Sequence, residues 1–209
     1  MKKLSLIFLI LICAFKVSFC QTINSKENEV LNAKNIIFYG YDFSDFQIAD
    51  SKRVGQDLKK NIFTLIGFFQ DHLSERKMQK WLEVDTVKYN LAPTLAENKK
   101  IDNNNIASVI KHNISKDSLQ FIINKYQIAE NEGIGYVVIF ECFDNNTNRV
   151  SAYSVFFDIA TKKPLVIDYV SKHDSNSFNR ISDWNPVAFT TIKKLTDTYL
   201  ERKELVIKK

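Results

Sequence analysis

Two apolar runs, residues 134–143 and 150–159, restrict the folds open to this chain more than any other stretch. They flank Asp144-Asn145-Asn146-Thr147-Asn148, a turn-rich connector suited to a β-hairpin. Thr161-Lys162-Lys163-Pro164 makes a further turn, and residues 165–171 read as a third strand. Short turns join antiparallel neighbours, so the expectation is an antiparallel β-meander. Neither long run alternates cleanly. In the first, Tyr136, Val138 and Phe140 interleave with Val137, Ile139 and Phe143; in the second, Phe156 sits between Val155 and Phe157. A sheet with one wet face shows apolar and polar residues in turn. This sheet therefore needs cover on both faces, from helices or from another protein.

Helical periodicity supplies candidates for that cover. Val54, Leu58, Ile62, Leu65, Ile66, Phe69 and Leu73 recur at steps of three and four, which places them on one face of a long helix capped by Asp50 or Ser51. A further turn of helix carries Met78 and Trp81. Ser115 starts another helix, with Leu119, Ile122, Ile123 and Tyr126 inward. The last helix runs over about 184–202, with Asp183 as cap, Pro186 in the first turn, and Ala188, Ile192, Leu195 and Tyr199 on its apolar stripe. Residues 36–41 (IIFYGY) read as the first strand, 86–91 as a short one, and 93–105 as polar loop. The expected class is α+β: an antiparallel β-meander of three to five strands, packed with a long helix in the N-terminal half and a C-terminal helix.

The N-terminus reads as a secretory signal. Lys2 and Lys3 precede an apolar run over residues 4–15, and Val17-Ser18-Phe19-Cys20 follows. A bilayer-spanning helix takes about 20 apolar residues, so this run is too short for a stable anchor. Two outcomes stay open: cleavage after Cys20, giving Gln21 as the first residue, or acylation of Cys20 as in a bacterial lipoprotein. The expected location is periplasmic or secreted, with the outer-membrane lipoprotein as the alternative. The expected organisation is a signal at 1–20, a flexible tether at 21–34, one α+β domain at 35–202 and a basic tail at 203–209. The formal charge of +5 falls with the signal. Removing Lys2, Lys3 and Lys16 leaves 26 basic against 24 acidic residues, and that balance requires neither nucleic acid nor an anionic membrane. Of three cysteines only Cys142 lies beyond residue 20, so folding rests on a hydrophobic core rather than a disulfide. A chain that is 45% hydrophobic can build one.

The blocks FYGYDFSDFQIADSKRVGQ and GIGYVVIFECFDNNTNRVSAYSVFFDIATKKPLVIDYV resemble a broad group of exported bacterial proteins of unknown function. These share a strand–helix start and a "VFFDI-T-K" meander before a terminal helix. The resemblance implies an envelope or secreted location and supplies no catalytic residues. The layout is also similar, at the level of fold alone, to small envelope-assembly domains such as activators of penicillin-binding proteins.

No phosphate-binding loop, dinucleotide fingerprint, zinc-protease helix or nucleophile elbow is present. The sequence thus points to no catalytic residue, no metal ligand set and no cofactor. His72, His112 and His173 lack ligand spacing. Cys142 aligns with Tyr136, Val138 and Phe140 on one strand face, which makes it a buried apolar residue. Two loops carry the polar side chains of interest. If the first and last strands run parallel, Asp42 and Asp45 after one, and His173, Asp174, Arg180 and Trp184 after the other, gather at one end of the sheet. Helix N-termini there suit an anionic ligand. The plain reading of the same residues is aspartates capping helices and Arg180 pairing with one of them. The expected function is a non-enzymatic envelope or secreted binding protein. Its partner is another envelope protein or a peptide, taken through a sheet face or edge, with a second copy of the chain as the alternative. A hydrolase or small-ligand binder on the two loops is the rival.

Overall fold

The computed structural model describes residues 27–49, 57–108, 112–174 and 181–207. The signal, residues 21–26 of the tether, the caps Asp50 and Ser51, Val54, Arg180 and the end of the basic tail lie outside them. The described residues form a seven-stranded sheet: β1 (Asn35–Asp42), β2 (Gln47–Ala49), β3 (Thr86–Tyr89), β4 (Ala107–Ser108), β5 (Ile134–Asp144), β6 (Arg149–Asp158) and β7 (Pro164–His173). The helices are α1 (Leu58–His72), α2 (Glu75–Leu82), α3 (Ala92–Asn98), α4 (Asn103–Ile106), α5 (Lys116–Asn124) and α6 (Ile181–Ile207).

All eleven residues of β5 are buried, and the rest of the sheet is arranged around it. On one side β5 pairs antiparallel with β6, and β6 with β7. On its other side it pairs parallel with β1 along its first half and with β2 at its end. β3 adds parallel to β1, and β4 parallel to β2. The expectation of an antiparallel meander is therefore overturned, although the class is α+β. Strands β1 to β4 join the sheet by parallel pairing and only β6 runs against the rest, so the sheet is mixed. The reason is connectivity. Short turns dictate antiparallel pairing only over 134–173, whereas β1 to β4 reach their neighbours through helical crossovers, which permit parallel pairing.

Cover comes from helices on both faces. On one, α1, α2 and α6 bury Ile62, Leu65, Phe69, Met78, Trp184, Ala188, Ile192 and Tyr199 against Phe38, Tyr136, Val138, Phe140 and Phe156. On the other, α5 lays Leu119, Ile122 and Ile123, with Tyr126 beside them, over Tyr39, Val137, Ile139, Val155 and Phe157. This second cluster is the smaller, because one nine-residue helix provides it. Ser115 caps α5 as expected, its hydroxyl accepting from the Ser118 N–H at 3.1 Å. α1 starts later than its apolar pattern suggests. Its cap is Asp57, which accepts from the Lys60 N–H.

The domain also begins before Asn35. Residues 27–31 are helical, with Val30 and Leu31 buried in the larger core. The Tyr199 hydroxyl donates to the Val30 carbonyl, and Arg202 pairs with Glu27 at 2.6 Å. At the other end α6 runs to Ile207, beyond the expected stop at Arg202.

The segment expected to be loop, 93–105, contains α3 and α4, and α3 has a definite task. Beyond Phe38 the outer edge of β1 has no strand beside it. Asn90 donates its N–H to the Phe38 carbonyl, and the Thr94 hydroxyl donates to the Tyr39 carbonyl. Asn98 then donates from Nδ2 to the Tyr41 carbonyl and accepts the Phe43 N–H on Oδ1, both at 2.8 Å. Buried backbone groups need partners, and here side chains of α3 substitute for a strand. The approach is close because Gly40 sits at φ +98°. A Cβ there would stand 3.0 Å from both Leu91 and Thr94.

Candidate functional site

Irregularities in two neighbouring strands meet at the centre of the sheet. β1 and β2 are one line along β5, broken by Phe43-Ser44-Asp45-Phe46. This stretch is an internal break between two strands, not a loop leading to α1. Its aromatics close the break from the larger core: Phe43 stacks on Phe140 at 4.5 Å, and Phe46 meets Phe143 edge-on at 4.9 Å. At the same level the pairing of β5 with β6 slips between Phe140 and Cys142, leaving Glu141 as the extra residue of a bulge. Bulges re-aim side chains and recur beside functional sites.

The bulge reverses the expected orientation of Cys142. Phe140 and Phe143 both face the larger core, so Glu141 and Cys142 between them turn toward the α5 side. The thiol is buried, and burial raises its pKa. A reactive thiolate needs the opposite environment. Glu141 is 1% exposed and fully engaged. Its Oε1 accepts the Ile114 N–H at 2.8 Å and lies 3.3 Å from the Tyr153 hydroxyl, while Oε2 accepts from the Tyr169 hydroxyl at 3.0 Å. The Tyr153 and Tyr169 rings lie 4.7 Å apart. Tyr169, on β7, is 43% exposed. A buried carboxylate thus fixes two phenols, one of which opens to solvent.

Asp42 occupies the same side of the sheet and is fully buried. It accepts from the Tyr126 hydroxyl on Oδ2 and from the Ser44 N–H on Oδ1 at 2.6 Å. Burial outweighs these bonds and raises its pKa; the nearby Glu97 acts in the same direction. Asp45 lies 3.7 Å from His112 Nε2.

Of the six residues predicted to gather, Arg180 lies outside the described residues, and the structure does not bring the other five together. β1 and β7 do run parallel, through two antiparallel steps. However, Asp42 aligns through Ile139 and Tyr153 with Tyr169, whereas His173 aligns through Arg149 and Asp144 with Ala49. Four residues along β7 and three strand spacings separate the two aspects, a distance on the order of 20 Å. His173 is exposed, and Asp174 closes the turn by donating its N–H to the Asn148 carbonyl. Trp184 is a core residue, its ring edge-on to Phe143 at 4.6 Å. Sequence reasoning missed Glu141, Tyr153 and Tyr169. The available signal was Glu141 itself, the one charged residue inside an eleven-residue strand that is otherwise apolar up to its terminal Asp144.

No family model, curated protein or solved structure matches this chain. Its reading therefore rests on its own geometry. Among the described residues no three His, Cys, Asp or Glu side chains are grouped to hold a metal ion. No helix among them is long and apolar enough to cross a membrane. A wide depression of about 430 Å³ on α2 is lined by Ser74, Arg76, Lys77 and Lys80. Lys77 is already engaged there, donating to the His72 carbonyl and lying over the Trp81 and Phe189 rings.

Proposed function

We propose that this chain is an exported, non-enzymatic binding protein whose partner is an extended peptide segment that adds to the open edge of β7. The observation that carries this reading is β7 itself: ten residues long, paired on one side only among the described residues, with the half-exposed Tyr169 held in place by Glu141. An unpaired strand edge offers backbone donors and acceptors in register, and a rigid aromatic beside it adds contact area at little entropic cost. Charge selects the partner. Lys163 precedes the strand, Lys172 and His173 end it with Arg149 of β6 opposite His173, and its one acid, Asp168, is buried against Arg202. A segment with acidic side chains around an apolar centre complements that edge.

A binding role is favoured over the hydrolase alternative because Asp42 and His173 stand apart, and the buried Asp42 and Glu141 are tied up by phenols and N–H groups. Export rests on the basic head and short apolar run, and mass spectrometry of the native protein should find Gln21 at the N-terminus.

The test of binding is a photo-crosslinking amino acid placed at position 169 in the native cell, with position 121 on the exposed face of α5 as control. Adducts with a protein from position 169, lost when Lys163 and Lys172 are both changed to Glu, are the expected result. Equal labelling at both positions, or none at 169, refutes the reading.

A further inference from the structure

The core beneath α6 contains polar atoms that the protein itself does not satisfy. Tyr136 Oη, Ser154 Oγ, Asp168 Oδ2 and Arg202 Nε are all buried and have no hydrogen-bond partner among the described residues. Strand register brings three of them together. Ser154 on β6 is directly opposite Asp168 on β7, and Phe156, two residues before the β6 end, is opposite both Tyr136 and Val166. Facing side chains in such pairs stand roughly 5 Å apart and diagonal ones roughly 7 Å apart, within reach of a long phenol. Arg202 enters from α6 and donates from Nη2 to Asp168 Oδ1 at 2.6 Å, which holds its Nε beside the same carboxylate. Burial raises the Tyr136 pKa, and the charge of Asp168 acts in the same direction.

The four atoms make a complementary set. Asp168 Oδ2 accepts, Arg202 Nε donates, and the two hydroxyls do either. A buried polar group without a partner costs free energy, and four in one place are rarely left so in a folded protein. We propose that Tyr136, Ser154, Asp168 and Arg202 enclose an internal hydration site, in which ordered water accepts from Arg202 Nε and donates to Asp168 Oδ2 while the two hydroxyls complete its shell. Water fits better than an ion. The Arg202 guanidinium, shared between Asp168 and Glu27, opposes a cation beside its Nε, and the Asp168 carboxylate opposes an anion. The site would tie β7, the strand with the open edge, to β5, β6 and α6 by a polar bridge at a point where the sheet is otherwise held by apolar packing.

Two readouts test this on the full mature protein. A crystal structure should show density for water within hydrogen-bond reach of Asp168 Oδ2 and of two of the other three atoms. Equilibrium unfolding should show a lower denaturant midpoint for Tyr136→Phe and for Ser154→Ala, because each removes a bond to that water. A dry site, density from a bound solute, or a midpoint raised by Tyr136→Phe overturns the proposal, since deleting a truly orphaned hydroxyl stabilises. Density with unchanged midpoints for both variants also overturns it. Should either variant fail to fold, the wild-type density decides alone.

Discussion

Truncating Asn98 would orphan two buried backbone groups at once, the Tyr41 carbonyl and the Phe43 N–H, because the Asn98 amide is the partner of both. Each such group costs about 1–3 kcal/mol, so Asn98→Ala should lower stability by about 2–6 kcal/mol in urea unfolding. Asn98→Asp should fare no better, since it loses the donor to Tyr41. Asp42 gives a pH-dependent case. Its folded-state pKa is raised from the ordinary value near 3.8, chiefly by burial. Between those two values the folded protein holds a proton that the unfolded chain has released, so the folded state binds more protons and stability falls as pH rises. The contribution is most favourable below pH 3.8 and is lost as pH climbs through the raised value. Asp42→Asn removes the titration. The stability of wild type relative to Asp42→Asn should therefore decline from about pH 4 toward neutrality, measured as paired denaturation midpoints. A flat difference would show that Asp42 titrates alike in both states.

At the scale of elements, the pairing of β5 with β6 includes one contact that only glycine permits. Gly135 lies opposite Phe157, and a Cβ at Gly135 would come within 2.7 Å or less of three atoms of that ring. Gly135→Ala should cost about 1–3 kcal/mol through overpacking, and less in a Phe157→Leu background. A double-mutant cycle on unfolding free energies checks the coupling. Elements like this hairpin were legible because their signals are local. The steps from Leu58 to Phe69 give α1, Ser115 starts α5, and Asp144-Asn145-Asn146-Thr147-Asn148 marks the turn. Others were hidden for physical reasons. α3 has Pro93 in its first turn and buries the polar Thr94, Glu97 and Asn98, so no apolar stripe betrays it. β2 is three residues long and exists only because β5 extends far enough to pair with it. The parallel arrangement depends on tertiary contacts that no local pattern encodes. The candidate site fared likewise: the proposed gathering of Asp42 with His173 used strand direction correctly but ignored register, and the bulge that turns Glu141 toward Tyr153 and Tyr169 displaced the polar centre.

Over the whole molecule, Arg202 joins three distant parts: Glu27 at the N-terminal side, Asp168 on β7, and α6 on which it resides. Arg202→Ala would leave Asp168, whose side chain is 2% exposed, without its cation. A destabilisation of about 1–3 kcal/mol is expected, below the figure for a fully buried pair because Arg202 is itself 38% exposed. Asp168→Asn in the same background should recover part of it, which calorimetry would register as a rise in Tm over Arg202→Ala alone. Hydrogen exchange should be slowest along β5, the strand paired on both sides and buried throughout, and faster at the free edge of β7.

The closure made by α6 also sets a timetable for folding. The Tyr199 hydroxyl meets a carbonyl 169 residues earlier in the chain, and Arg202 reaches Glu27 across 175. Chains of such topology assemble slowly, since distant segments must meet before either is secured. A polypeptide leaving a ribosome or a translocation channel presents its first strand long before the helix that covers Tyr136 and Phe156 has emerged. Until that last helix arrives, the part of the sheet around Tyr136 and Phe156 is bare, and a nascent chain halted before Ile181 would be a ready client for a chaperone.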